Sequence, residues 1–298
     1  MRWRTAGALI AAFALGTVSP ALPDRAGLKG YVGAYRWAED DPDFGGFSAI
    51  EVAPDGEYFA ALTDRGAIAT GKLRRDAGGV ITGVDASRPM PLAEPIGPVP
   101  ENYAFDTEGL ALSLDGSFYV STESIARVLQ YRRSDEVPRV LPIAPDFVLM
   151  PGNRSLEALA IDASGSLFTL PEVSQRTDGN YPVYRFKDGA WDQPFLIRRL
   201  GSFLPAGADF GPDGRLYLLE RQFNGLAGFS SRVRRIEITE SGIAPDEILL
   251  ETAPGTFGNM EGIAVWRDGD DAIRLTLISD DNFLSVLGTE IVEFRVPD

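Results

Sequence analysis

The chain repeats one short pattern five times, and this repeat restricts the fold more than any other feature of the sequence. Each copy starts at an anchor residue and reaches an Asp-Gly or Ser-Gly turn seven residues later. An apolar run lies before the turn and another follows it, which is the pattern of a β-hairpin. The five anchor residues are Ser48, Glu108, Glu157, Ala206 and Glu261.

The spacing of the anchor residues predicts an all-β fold, a β-propeller. Successive anchors lie 49 to 60 residues apart, which leaves room for about four strands in each blade. Five hairpins predict five blades, with six as the alternative if a blade within 66–105 has lost the pattern. The last apolar run, 291–296, can pair with a strand at 28–35. That pairing of the two termini would close the ring and remove its open edges.

Residues 1–21 have the pattern of a secretory signal peptide. Arg2 and Arg4 precede a short apolar run at 6–18, and small residues follow at 19–21. The run is short for a membrane span, so we expect no stable membrane insertion of the mature chain. We therefore expect a signal peptide at 1–21, one propeller domain at 22–298, and a periplasmic or secreted bacterial protein. An uncleaved membrane anchor is the alternative.

The composition excludes several classes of chemistry. The 298 residues include no Cys and no His, which rules out Cys nucleophiles, Ser-His-Asp triads, disulfides and metal sites built on His or Cys. The chain is acidic, with 43 Asp and Glu against 28 Lys and Arg and a net charge of −15. This balance argues against broad nucleic-acid binding. We expect a monomer that binds a small molecule and no nucleic acid.

Hairpin geometry predicts that acidic side chains gather at one face of the propeller. The first strand of a hairpin starts at the end where the second strand finishes, and the innermost strands line the axis. Glu108, Glu157 and Glu261 should therefore form a ring at the channel mouth. The same geometry places Ser48 with Asp64, Glu108 with Glu123, Glu157 with Glu172, Ala206 with Glu220, and Glu261 with Asp280 and Asp281.

Carboxylates this close raise each other's pKa unless a cation neutralises them. Oxygen ligands without His or Cys favour Ca²⁺, with Mg²⁺ or Mn²⁺ as alternatives, and no organic cofactor is expected. The alternative is that each Glu bonds to strand N–H groups and only lines the channel. Arg65, Arg154 and Arg221 lie near the same face, where they could bind a phosphate or pair with the acids.

Several of these segments resemble a bacterial family described as "esterase-like activity of phytase". They are GGFSAI (45–50), LTDRG (62–66), DTEGLA (106–111), SLEALA (155–160), NMEGIA (259–264) and SDDNF (279–283). The resemblance covers residues 28–298 and implies a β-propeller with phosphoesterase or phosphodiesterase activity. The positions that it implies are Ser48, Asp64, Arg65, Glu108, Glu157, Glu261, Asp280, Asp281 and Asn282.

The Glu-Gly opening of the repeat is also similar to that of gluconolactonase-type propellers. The resemblance implies that this Glu binds a catalytic divalent ion, as it does in that group. Ala206 departs from the pattern, which leaves the expected coordination sphere open on the side of the fourth repeat.

Together these features predict a secreted, metal-dependent hydrolase of phosphate mono- or diesters. Glu108, Glu157 and Glu261 would hold the ion. Asp64 or Asp281 would act as general base, and Arg65 and Arg221 would stabilise charge on the transferred group. The residues expected to contact the ligand or support these groups are Ser48, Glu123, Arg154, Glu172, Glu220, Asp280 and Asn282. The alternatives are a lactonase or carboxylic ester hydrolase that uses the same ion, and a non-catalytic propeller that binds a ligand or protein.

Overall fold

The computed structural model describes residues 24–97, 103–239, 242–283 and 288–296. The predicted signal peptide at 1–21 and the predicted start of the domain at 22 lie outside these residues. The regular structure is almost entirely β and forms five antiparallel sheets of four or more strands, with one small separate hairpin. No helix in the described ranges is long and apolar enough to cross a membrane.

The five sheets are the blades of a propeller, numbered here by their innermost strand in chain order. Blade 1 contains β2 (Phe47–Val52), β3 (Tyr58–Thr63), β4 (Ala67–Arg75) and β5 (Ile81–Ala86), with the short β6 (Met90–Pro91) beside β4. Blade 2 contains β7 (Thr107–Leu112), β8 (Phe118–Thr122), β9 (Arg127–Tyr131) and β10 (Arg139–Val140). Blade 3 contains β11 (Leu156–Ile161), β12 (Leu167–Pro171), β13 (Tyr181–Lys187) and β14 (Ala190–Ile197).

The last two blades follow the same plan. Blade 4 contains β15 (Leu204–Phe210), β16 (Leu216–Phe223), β17 (Phe229–Ile236) and β20 (Glu247–Glu251). The small hairpin β18 (Ile238–Thr239) and β19 (Gly242–Ile243) comes before β20. Blade 5 contains β21 (Asn259–Arg267), β22 (Ile273–Asp280), β23 (Thr289–Arg295) and β1 (Tyr31–Trp37). Two 3-10 helices span Pro145–Leu149 and Gly225–Ala227.

The ring closes as the sequence predicts. Strand β1 pairs antiparallel with β23, so the N-terminal part of the chain supplies the outermost strand of blade 5. The prediction of five blades is confirmed, and the six-blade alternative is wrong. In residues 66–105, where that alternative placed a sixth blade, the described strands are outer strands of blade 1.

A separate apolar core lies between each pair of neighbouring blades. Between blades 1 and 5, for example, Phe59 and Trp266 belong to one cluster of buried side chains. Trp37 of β1 joins that cluster and stacks on Phe47 at 4.9 Å between ring centroids. The five clusters therefore match the five blade interfaces, and burial of their apolar surface stabilises the ring.

Small residues after the anchors let the innermost strands approach closely. These residues are Ala49, Gly109, Ala158, Gly207 and Gly262. A Cβ atom on Gly262 would lie 2.7 Å from the nitrogen of Ile50 and 2.8 Å from the carbonyl carbon of Ala49. The axial cavity lined by the innermost strands has a volume of only about 10 Å³. The channel is therefore almost closed below its mouth, with room for about one water molecule.

Two buried carboxyl groups lie on the innermost strands away from the mouth. Glu51 of β2 and Asp209 of β15 each stand three positions after an anchor, and both side chains are buried. Burial raises the pKa of Glu51 well above its ordinary value, and the charge of Asp209 raises it further. Oδ2 of Asp209 accepts a hydrogen bond of 2.6 Å from the backbone nitrogen of Val265 in blade 5. Asp209 thus links the inner strands of two blades.

Candidate functional site

A β-bulge lies at the anchor position of every blade. The pairing of the first and second strands shifts register there, between Phe47 and Ala49, Thr107 and Leu110, Leu156 and Ala158, Pro205 and Gly207, and Met260 and Gly262. A bulge leaves a residue unpaired and redirects its side chain. The repeat therefore encodes one recurrent irregularity that sets the direction of the anchor side chains.

Nine carboxyl groups of the described residues form a connected set at this end of the ring. We call them the mouth acids: Asp64, Asp106, Glu108, Glu123, Glu157, Glu172, Glu261, Asp280 and Asp281. Each mouth acid either raises the pKa of another mouth acid or has its pKa raised by one. They come from blades 1, 2, 3 and 5, so the predicted gathering of acids at one face is present.

Burial and mutual repulsion raise the pKa values of many of these groups. Burial raises the pKa of Glu123, Glu157 and Glu261 to about 8 and that of Asp64 to about 7. Burial also raises the pKa of Asp280 and, together with the charge of Glu157, holds that of Glu108 well above its ordinary value. Carboxyl groups with such pKa values bind protons or a cation at neutral pH. The mouth therefore favours the binding of positive charge.

Two groups of three mouth acids have the geometry of a cation site. Asp106, Glu108 and Glu123 form one group, and Glu123, Glu157 and Glu172 form the other. Within each group the ligand oxygens all lie within 4.8 Å of one another. Metal–oxygen distances of about 2.0–2.6 Å place ligands around Ca²⁺ or Mg²⁺ at most about 5 Å apart. The spacing and the all-oxygen donor set therefore fit a hard divalent cation.

An arginine from blade 4 lies among the mouth acids. Nη1 of Arg221 is 3.0 Å from Oε1 of Glu261 and donates a hydrogen bond of 3.2 Å to Oδ1 of Asn259. Nη2 is 3.5 Å from Oε1 of Glu172 and 3.6 Å from Oε1 of Glu157. Nε is buried and has no hydrogen-bond partner among the described residues. The guanidinium group thus neutralises acids of blades 3 and 5.

The predicted metal ligands Glu108, Glu157 and Glu261 do not form one group of three. Glu108 and Glu157 belong to different groups, while Glu261 lies outside both. Glu261 instead accepts a hydrogen bond of 2.7 Å from Nδ2 of Asn259 and pairs with Arg221. Because Arg221 also pairs with Glu157, the group of Asp106, Glu108 and Glu123 is the better fit for a cation.

Asp64 follows β3 and presents an oxygen without a partner. Its backbone nitrogen donates a hydrogen bond of 2.7 Å to the carbonyl oxygen of Gly46, which fixes the backbone. Its Oδ1 is buried and makes no hydrogen bond with the described residues. After burial, the charge of Asp280 is the next cause of the raised pKa. An unpaired carboxylate oxygen with a near-neutral pKa is suited to accept a proton from water or a ligand.

Asp281, the other predicted base, instead forms hydrogen bonds to two loops. Its Oδ1 accepts hydrogen bonds from the backbone nitrogens of Gly46, at 2.9 Å, and Phe283, at 3.0 Å. Its Oδ2 accepts one of 3.4 Å from Oγ1 of Thr289. Both oxygens are therefore engaged, which leaves Asp64 as the better placed base.

Asp280 and Asn282 flank Asp281 in the sequence and differ in exposure. Asp280 is buried, whereas Asn282 is exposed and has a positive φ of 51°. The backbone nitrogen of Asn282 donates a hydrogen bond of 2.7 Å to Oδ1 of Asp280. The turn after β22 thus orients Asp280 toward the other mouth acids.

Two of the residues expected near the ligand make contacts inside the fold. Oγ of Ser48 donates a hydrogen bond of 2.8 Å to the carbonyl oxygen of Thr107, which joins blades 1 and 2. Glu220 is fully buried, and its carboxylate accepts hydrogen bonds from Arg232 at 2.6 Å and from Arg234 at 2.7 Å. Successive residues of a strand point to opposite faces. Since Arg221 points to the mouth, its neighbour Glu220 points away from it.

Two predicted arginines lie at the rim of the mouth. Arg65 is exposed, and its guanidinium carbon lies 3.3 Å from the ring centroid of Phe283. The side chain of Arg154 is 59% exposed, and its Nε is 3.8 Å from Oε2 of Glu172. Both can therefore reach a ligand at the mouth.

Asp106 was not among the residues predicted for the site, although it belongs to the better cation group. It lies two positions before Glu108, just as Asn259 lies two positions before Glu261. Asp106 directly precedes β7. The polar residue two positions before a Glu-Gly anchor was the signal in the sequence that could have identified Asp106.

Several solved structures share features of this fold at low identity. Virginiamycin B lyase from Staphylococcus aureus is 17% identical, with 89% of this chain and 74% of that chain covered and a TM-score of 0.42. The PQQ-bound aldose sugar dehydrogenase from Streptomyces coelicolor is 14% identical over 91% and 100%, with a TM-score of 0.46. A gluconolactonase from Xanthomonas campestris is 12% identical over 80% and 69%, with a TM-score of 0.43. Similarity at this level carries no functional argument.

A family comparison is more informative. No curated protein matched the sequence. Residues 42–283 match the phytase-like family, which is described as "Esterase-like activity of phytase". The match spans all five anchors and all nine mouth acids. The chain therefore belongs to the phytase-like family.

Proposed function

We propose that this protein is a divalent-cation-dependent hydrolase of ester bonds and that it acts on phosphodiesters. One observation carries the proposal: Asp64, with its unpaired Oδ1 and a pKa of about 7, lies next to carboxylates that fit a cation. Membership of a family described by esterase-like activity supports ester hydrolysis as the reaction.

Asp106, Glu108 and Glu123 would hold the cation in this proposal. When bound, a divalent cation stabilises negative charge that develops on the ester group. Among the described residues, the ion pairs of Arg221 are made with Glu157, Glu172 and Glu261 and not with these three side chains. Their oxygens are the donor type that Ca²⁺, Mg²⁺ and Mn²⁺ prefer.

Asp64 would act as the general base and accept the proton of the attacking water at Oδ1. Its pKa of about 7 leaves a large fraction of the group deprotonated at neutral pH while keeping it strongly basic. Burial is the main cause of this value, and the charge of Asp280 adds to it because it disfavours ionisation of Asp64.

The charges of the mouth favour a diester over a monoester. Arg221 is engaged by acids, whereas Arg65 and Arg154 at the rim are available to an anionic substrate. A phosphodiester carries one negative charge, whereas a monoester carries nearly two at neutral pH. The acidic surroundings therefore repel a monoester more strongly.

The same excess of negative charge supports a second candidate, the hydrolysis of lactones or other carboxylic esters. These substrates are uncharged and meet no repulsion at the mouth. They would use the same base, Asp64, and the same three cation ligands.

A substrate panel separates these possibilities. Chelator-treated protein would be supplied with Ca²⁺, Mg²⁺ or Mn²⁺ and assayed on bis-p-nitrophenyl phosphate, p-nitrophenyl phosphate, p-nitrophenyl acetate and a δ-lactone. We expect cation-dependent turnover, with the diester preferred over the monoester. Preference for the acetate or the lactone would support the second candidate. Absence of turnover on all four substrates with every ion would support a propeller that binds a ligand without transforming it.

A location in the periplasm or outside the cell is part of the proposal. The pattern of charged, apolar and small residues at 1–21 supports it. Determination of the N-terminal sequence of the protein recovered from cell fractions tests the location and the cleavage together.

A further inference from the structure

Blade 4, whose anchor is an alanine, supplies an arginine to the mouth. The anchor of blade 4 is Ala206, whereas the anchors of blades 2, 3 and 5 are glutamates. Arg221 lies on β16, the strand that pairs with the anchor strand β15 of the same blade. A small anchor and an arginine thus replace the acidic anchor and its acidic companion.

We propose that Arg221 is the resident counter-ion of the axial carboxylates and confines divalent-cation binding to Asp106, Glu108 and Glu123. This inference deepens the proposed function, because it assumes that the mouth binds such a cation. It also gives a reason why blade 4 has Ala206 instead of a glutamate at its anchor.

The contacts of Arg221 show how the guanidinium occupies the axial position. It makes ion pairs with Glu261 on one side, at 3.0 Å, and with Glu157 and Glu172 on the other, at 3.6 and 3.5 Å. Its side chain is 21% exposed and the three carboxylate side chains 5–12%. The group therefore joins acids of two blades in surroundings with little water.

A divalent cation and Arg221 compete for the same carboxylates. Glu157 and Glu172 form two of the three ligands in one cation group, and both are ion-pair partners of Arg221. A cation bound there would lie close to a fixed positive charge and be repelled. In the described part of the chain, Arg221 has no ion pair with Asp106, Glu108 or Glu123. The charge of Arg221 also acts on Glu108, but less than on its three ion-pair partners. A cation can therefore bind to that group without displacing the arginine.

Calorimetric titration with CaCl₂ or MgCl₂ tests the inference on the chelator-treated mature protein. We expect the wild type to bind one ion per chain. The Arg221→Gln variant should bind a second ion or bind at least tenfold more tightly. The Arg221→Lys variant keeps the positive charge, so it should retain one site with near wild-type affinity.

Two further variants locate the wild-type site even if Arg221→Gln fails to fold. Asp106→Asn should weaken binding at least tenfold, whereas Glu261→Gln should change it less than threefold. Equal loss in these two variants would place the cation on the axis and overturn the inference. A folded Arg221→Gln variant with unchanged stoichiometry and affinity would also overturn it.

The failure of the inference can be told apart from that of the proposed function. If the wild type binds no ion but Arg221→Gln does, the arginine replaces the cation, and the cation dependence of the proposed function is wrong. If neither binds an ion, both are wrong. If the wild type binds one ion through Asp106 and turns over no ester, only the catalytic proposal fails.

Discussion

Nη1 of Arg221 in blade 4 lies 3.0 Å from Oε1 of Glu261 in blade 5, so an ion pair at the mouth also joins two blades. The pair lies just above the axial cavity, where the innermost strands are in close contact. Residues of the candidate site therefore also bear on the stability of the ring, and their variants need both stability and activity measurements.

Replacement of Asp64 by Asn should lower the activity without lowering the stability. If Asp64 is the general base, kcat/KM of the Asp64→Asn variant should fall by about 10²- to 10⁴-fold. In the wild type, kcat/KM should fall as the pH drops, because protonation of Asp64 removes the base. The pKa of Asp64 is about 7 without a cation, and a cation bound at Asp106 should shift the midpoint to lower pH. A wild-type profile that stays flat from pH 8.5 down to the pH at which the fold is lost would contradict the assignment.

Although Asp64→Asn should lower kcat/KM, it should leave the stability unchanged or raise it. The pKa of folded Asp64 is about 7, above the value of about 3.9 for an unfolded chain. Its contribution to stability is therefore complete below about pH 4 and is lost as the pH rises to about 7. An amide has no charge to bury, so Asp64→Asn should match or exceed the wild-type unfolding free energy at pH 8.

Glu51→Gln should stabilise the ring at neutral and alkaline pH. Burial and Asp209 raise the pKa of Glu51, so the folded state resists its ionisation while the unfolded chain does not. The stabilising contribution of Glu51 is thus present in acid and is lost as the pH rises. We expect urea unfolding to give a higher unfolding free energy for the variant at pH 8 and a smaller gain at pH 5. Glu57→Gln, at an exposed position of the same blade, should show no such gain.

Glu220→Gln should destabilise the protein strongly. Glu220 is buried between Arg232 and Arg234, whose charges it neutralises. Removing one partner of a buried ion pair costs about 3–5 kcal/mol when the remaining charge is left uncompensated. Asp246 and Glu251 still pair with Arg234 and Arg232 in this variant, so the loss should lie toward the lower end of that range. Glu247→Gln is the matched control, because Glu247 pairs with Arg235 in the same blade but is 59% exposed. That variant should lose less than about 1 kcal/mol in chemical unfolding.

Gly262→Ala should destabilise the ring through overpacking. The added methyl group would lie 2.7 Å from a backbone nitrogen of blade 1, which cannot move without disturbing the strand. We expect a loss of about 1–3 kcal/mol in the unfolding free energy. Gly269→Ala adds the same group where no atom lies within 4 Å. If both variants had equal stability, close packing around the axis would not be the reason for the glycine.

The repeat was enough to predict the blades, the ring closure and most of the mouth acids. Asp64, Glu123 and Glu172 each directly follow the second strand of a blade, so hairpin length alone located them. The direction of individual side chains was harder to predict. Glu220 and Arg221 are adjacent in one strand and cannot both face the mouth, and the sequence does not reveal which of them does.

The choice of cation ligands depends on details that a repeat cannot supply. The bulges at the anchors redirect side chains by an amount that strand counting does not include. Arg221 pairs with residues up to 64 positions away in the chain. Its ion pairs engage Glu157 and Glu261, and only the folded ring reveals this.

The pairing of β1 with β23 determines when this protein can finish folding. Strand β1 is among the first parts of the domain to be synthesised, yet its partner is among the last. Until then β1 has no neighbour in blade 5, and such unpaired strands are prone to aggregation. Contacts between distant parts of a chain also form slowly. The strand that completes the ring thus makes folding of the propeller depend on the synthesis of β23.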